Sequence, residues 1–149
     1  YFNFLPGVKG TWHALSHWKD ASGRTEDDDG TTKWNDVRTK KDQYNEVTRW
    51  HHAQLAFFLG RLKRLKDADG VSVLDRSMIV YGSSIADGHE HEEQDLPVLL
   101  AGGGNGTIKT GHYLKPRHNT SMSRLHLAMM QRMEIPASRF AEAQDALEL

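Results

Sequence analysis

The chain contains no cysteine, which excludes disulfide bridges and thiolate metal sites, so any metal must be held by His, Asp, Glu, hydroxyl or water. That absence alone leaves the cellular compartment open. No apolar run reaches the length needed to cross a bilayer, and Tyr1-Phe2-Asn3-Phe4-Leu5-Pro6 lacks the positive-then-apolar order of a leader. Neither sign of charge prevails: 19 basic residues stand against 20 acidic ones, a formal net charge of -1. A nucleic-acid or anionic-membrane partner held by bulk electrostatics is therefore not expected. Also missing are a G-x-S-x-G elbow, the Walker lysine spacing and a G-x-G-x-x-G opening a helix. These absences disfavour a self-contained serine hydrolase and a nucleotide-phosphate loop.

What is present is one domain's worth of chain, 149 residues opening on Tyr1 rather than Met, read here as part of a longer protein. The expected fold class is α/β, a single unit over residues 1–149. Residues 1–43 read as an irregular arm and loops, with a solvated acidic loop at Glu26-Asp27-Asp28-Asp29-Gly30. Residues 44–149 read as helix, strand, loop, strand and helix. Val47, Trp50, Gln54, Phe58, Leu62 and Leu65 recur at helical spacing, with Lys63, Arg64 and Lys66 at the carbonyl end and Asp67-Ala68-Asp69-Gly70 as the stop. That D-x-D-G begins like a calcium loop but lacks the later glutamate, so a turn is expected.

Met78-Ile79-Val80-Tyr81 and Leu96-Pro97-Val98-Leu99-Leu100-Ala101 read as buried strands. Two strands make no stable sheet by themselves, so further strands are expected outside this chain. Gly102-Gly103-Gly104-Asn105-Gly106 reads as a flexible loop, Thr107 to Leu114 as a short hairpin, and Ser121 to Met133 as an amphipathic helix capped by Ser121 or Thr120. Phe140 and Leu147 are expected to pack as a final turn.

The chemistry lies in nine histidines. In Trp12-His13-Ala14-Leu15-Ser16-His17-Trp18 two imidazoles four apart share one face of a helical turn and can chelate one ion; a packed pair of surface histidines fits the same residues. A second group, Asp87, His89 and His91, follows the first strand at its carboxyl end, where open α/β sheets bind ligands. Its oxygen and nitrogen donors suit zinc, manganese, iron, magnesium or calcium; a polar loop facing water is the other reading. His51 and His52 are adjacent on a helix and cannot both face one ion. His126 reads as structural, and His112 and His118 as loop contacts.

His13-Ala14-Leu15-Ser16-His17-Trp18 resembles the motif of the bacterial HXXSHH family, with Trp18 in place of the last histidine. Phe57 to Leu62, Asp69-Gly70 with Leu74 to Ser77, the serine-rich turn with Asp87-Gly88 and His91, and Leu96 to Gly104 with Gly111 resemble the same family's C-terminal block in order. The resemblance spans about His13 to Phe140. It implies an extracytoplasmic protein and, through a distant similarity to the alkaline phosphatase and sulfatase superfamily, the C-terminal portion of an α/β/α sandwich. It further implies a divalent metal, zinc ahead of calcium, magnesium or manganese, held by His13, His17, Asp87 and His91, with His89 a weaker candidate. The implied partners are the N-terminal portion of the same protein, which would bring the nucleophile, and a small anionic ester or polymer. Metal-dependent hydrolysis of a phosphate or sulfate ester is the leading expectation; a non-catalytic extracytoplasmic metal-binding or interaction protein is the alternative.

Overall fold

The computed structural model describes residues 1–18 and 40–149, and the acidic stretch at Glu26–Gly30 lies outside the described residues. Contacts divide the chain into two compact units, Tyr1–Phe58 with Ser83–Pro97 and Leu59–Gly82 with Val98–Leu149. The architecture is mixed α/β: helices α1 (Trp12–Ser16), α2 (Lys40–Arg64), α3 (Val73–Arg76) and α4 (Met122–Arg132), with strands β1 (Ile79–Gly82) and β2 (Val98–Ala101). Among the described residues no helix is long and apolar enough to cross a membrane.

In the first unit Val8, Leu15 and Val47 form the buried core, with Phe2, Leu5, Trp12 and Tyr44 packed around it. The arm is tied to α2 by Lys9 N–H, which donates to Gln43 Oε1 at 2.9 Å. The apolar face read along α2 is buried only at its start. Val47 is fully buried, whereas Phe58 is 48% and Leu65 52% exposed. Helical spacing predicts which residues share a stripe, but burial needs a partner surface along the whole stripe.

In the second unit β1 and β2 pair antiparallel, Ile79 opposite Ala101 and Gly82 opposite Val98. The strands occur where the apolar runs are, but their expected burial fails: Val98 is 39% and Leu99 46% exposed. Covering both faces of a strand requires a layer on each side, and a two-stranded ribbon has none to spare. The expected hairpin at Thr107–Leu114 does not form; after a 3-10 turn at Gly104–Gly106 the chain runs without strand pairing to α4. Helix α4 starts where its cap was read, Ser121 Oγ accepting from Ser123 N–H at 3.1 Å. Its buried side is Leu125, Leu127 and Ala128. The tail returns to it, Leu147 N–H donating to Arg124 O at 3.0 Å.

The Asp67–Gly70 turn forms as expected, with Gly70 N–H bonded to Asp67 O at 3.1 Å. Its carboxylates meet a guanidinium: Arg76 contacts Asp67 Oδ2 at 2.8 Å and Asp69 Oδ2 at 3.0 Å. Arg76 also donates to Asn105 Oδ1 at 2.5 Å. Desolvation raises the Asp67 carboxyl, but hydrogen bonds from Val71, Arg76 and Asp69 and the Arg76 charge outweigh it and hold the group below its ordinary range. The turn is an arginine-clamped stop for α2.

The glycine-rich segment departs furthest from its reading as a flexible loop. Gly103 N–H bonds Leu74 O at 3.2 Å, which also accepts from Ser77 N–H, and Gly104 N–H bonds Ser77 O at 3.0 Å, so the segment seats on the end of α3. Gly102, at φ +102°, leaves no room for a side chain: a Cβ there would lie 2.1 Å from Ser77 O. Close approach of two backbones, rather than mobility, explains Gly102 and Gly103.

Candidate metal centre

Helix α1 is short, and its ends show why it forms. Thr11 Oγ1 accepts from Ala14 N–H at 3.2 Å at the N-terminus, and Ser16 Oγ donates to His13 O at 2.7 Å near the other end. Ala14 and Leu15 are buried, which anchors one side of the turn in the core. His13 and His17 share the other side, their ring centroids 4.9 Å apart. His13 is exposed and His17 half-buried.

The second group sits on a pinched loop. Ala86 N–H bonds Glu92 O at 2.7 Å and Glu92 N–H bonds Asp87 O at 3.2 Å, closing the turn at its neck. Inside it Asp87 Oδ1 accepts from His89 N–H at 2.8 Å and Glu90 N–H at 3.2 Å. Asp87 thus organises the turn, as aspartate does in an Asx motif. His91 takes a left-handed φ of 53°, a conformation uncommon outside glycine.

The two groups meet in the first unit. The His17 ring lies 5.6 Å from His89 and 5.2 Å from His91, centroid to centroid. Four of the five residues expected to ligate therefore gather, with His17 at the hub and Asp87 at the base of the turn. Among the described residues no group of three or more His, Asp or Glu side chains stands arranged to hold a metal ion. The three ring spacings to His17 are each close to the roughly 5 Å that separates the centroids of two imidazoles bonded through nitrogen at ~2.1 Å to one tetrahedral ion. The imidazole χ2 torsion is broad, so ring rotation redirects the nitrogens without moving the backbone. A set of imidazoles without thiolates suits zinc and neighbouring transition ions better than magnesium or calcium, which prefer oxygen.

Trp18, where the motif has a histidine, lies beneath Lys41 Nζ at 4.6 Å from its ring centroid, a cation–π contact with α2. His112, His118 and His126 belong to the second unit. His126 sets its ring edge-on to Phe140 at 5.8 Å. His118 lines an open cleft of about 460 Å³ with Arg117, Ser121, Arg124 and Glu142.

One arrangement the spacing did not indicate is the aromatic enclosure of His51. Its ring lies 4.2 Å from Trp12, 5.0 Å from Trp50 and 5.5 Å from Phe2, centroid to centroid. In the sequence only the tryptophans that adjoin histidines, Trp12-His13 and Trp50-His51, hint at it. Desolvation lowers the His51 pKa from its ordinary 6.5, and the neighbouring His52 adds to the effect. Because the folded value is the lower one, the unfolded chain takes up this proton first, and stability is lost as pH falls through 6.5 toward the folded value. The melting temperature should fall between about pH 7.5 and 5.5 by more in the parent than in His51→Phe, which keeps the ring without the titration. Equal slopes would remove His51 from the pH response.

Comparisons with protein families, curated proteins and solved structures return no match.

Proposed function

We propose that this chain carries a divalent-metal site built from His13, His17, His89 and His91 on a turn organised by Asp87, and that the site serves hydrolysis of phosphate or sulfate esters. The observation that carries the reading is the gathering of three imidazoles around His17, contributed by two segments distant in sequence. It is the juxtaposition expected from the resemblance to the HXXSHH family. In the same reading the chain is the C-terminal portion of an alkaline phosphatase-like sandwich, acts outside the cytoplasm, and draws its nucleophile from the N-terminal portion.

A bound ion of this class polarises an ester oxygen and lowers the pKa of water or a hydroxyl. The chain's own part is to bring the imidazoles together on a buried helical anchor and a pinned turn. Ser16, the hydroxyl nearest in sequence to the cluster, is engaged with His13 O; it ties down the helix end.

The test is turnover of a nitrophenyl phosphate and a nitrophenyl sulfate by the purified protein, with and without chelator. Turnover that a chelator abolishes and zinc restores is the expected result. Stoichiometric zinc with no turnover of either ester would instead favour the non-catalytic metal-binding reading.

A further inference from the structure

One close approach of main chain lies between the two histidine groups. An alanine Cβ built on Gly88 would lie 2.7 Å from Ser16 Cβ and 3.1 Å from Ser16 Oγ. No real pair of carbons sits at the first distance, and Ser16 Cβ is fixed to the helix backbone, so it cannot swing aside. The main chain of the turn therefore lies flat against the last residue of α1. Gly88 separates Asp87, which pins the turn, from His89; Ser16 immediately precedes His17. The contact lies between the two histidine groups, adjoining a candidate ligand on each side.

We infer that Gly88 is a positioning residue: lacking a side chain, it lets the Asp87–His91 turn seat against Ser16 at the end of α1 and so assembles the histidine cluster. The inference rests on the metal reading of that cluster. Gly88 does not have the left-handed φ that would require glycine on conformational grounds alone; its demand for a missing side chain comes from Ser16. That makes the contact testable by exchange. Removing the Ser16 side chain deletes both close atoms and leaves Ser16 Cα at 3.6 Å, an ordinary contact.

Three variants of the full chain decide it: Gly88→Ala, Ser16→Gly and the double substitution. Two quantities are read: zinc affinity by competition with a chromophoric chelator, and nuclear Overhauser contacts between the His17 and His91 rings in metal-free protein. Gly88→Ala should weaken zinc binding about tenfold or more, the scale on which misplaced ligands lose affinity, and erase the ring contacts. Ser16→Gly alone, which also removes the Ser16 Oγ bond to His13 O, should cost less than Gly88→Ala, and the double variant should recover both quantities to the level of Ser16→Gly. Gly88→Ala with parental affinity and ring contacts would overturn the inference, as would a folded double variant that regains neither. If the parent binds no zinc yet the ring contacts vanish in Gly88→Ala and return in the double variant, the positioning role stands and the metal reading fails.

Discussion

Replacing Gly102 with alanine is expected to destabilise the second unit by about 3 kcal/mol or more, summing a strained backbone at ~1–3 kcal/mol with the loss of one or two backbone hydrogen bonds at ~1 kcal/mol each. At φ +102° the new Cβ would stand 2.1 Å from Ser77 O, 2.8 Å from Ser77 C and 2.9 Å from Leu74 O, all main-chain atoms. The segment cannot retreat, because Gly103 and Gly104 donate to those same two carbonyls. Relief would break the seat on α3 and pull at the adjoining end of β2. The control is Gly106→Ala: its φ is +84° but a Cβ there meets nothing within 4 Å, so only the left-handed penalty of roughly 1–2 kcal/mol applies. Denaturant unfolding followed by circular dichroism measures both. Equal losses would mean that the clasp on α3 contributes nothing.

The second large effect is expected at His17. Its ring lies 4.9–5.6 Å from three others, so His17→Ala removes the three ring pairs that draw the cluster together. Zinc affinity should drop by about a hundredfold or more, since even residues that only support ligands cost ten- to a hundredfold. The fold should persist, because the anchors of α1 are Ala14 and Leu15 and the Thr11 cap. His13→Ala, removing one ring pair at an exposed position, should cost less, and His112→Ala, outside this unit, should cost nothing. Calorimetric titration with zinc and elemental analysis of the purified protein give the answer. A His17→Ala protein that binds zinc as tightly as the parent would sink the hub assignment.

Much of the local structure was legible from residue order. Helix α4 could be read from the Ser121 hydroxyl and the apolar spacing behind it, because capping and helical periodicity act within a few residues. The Asp67–Gly70 stop and the position of both strands were legible for the same reason, and so was the shared face of His13 and His17. The errors have a different source. The strand runs were read as buried, whereas apolar character brings burial only where another layer is there to supply it. The glycine segment was read as flexible because nothing in its own residues announces α3 beneath it.

By itself, then, the amino-acid order determined α2, α4, the helical turn that carries His13 and His17, the turn after α2 and the place of the two strands, all consequences of backbone conformations and spacings that short-range forces control. Only the tertiary structure decided that His89 and His91 come to His17, that Asp87 spends an oxygen on the turn, that His51 is enclosed by aromatic rings, and that Gly88 and Gly102 have no space for a side chain. Those facts depend on which backbones approach one another across long stretches of chain, and excluded volume at such a contact is a property of two segments that neither segment encodes alone.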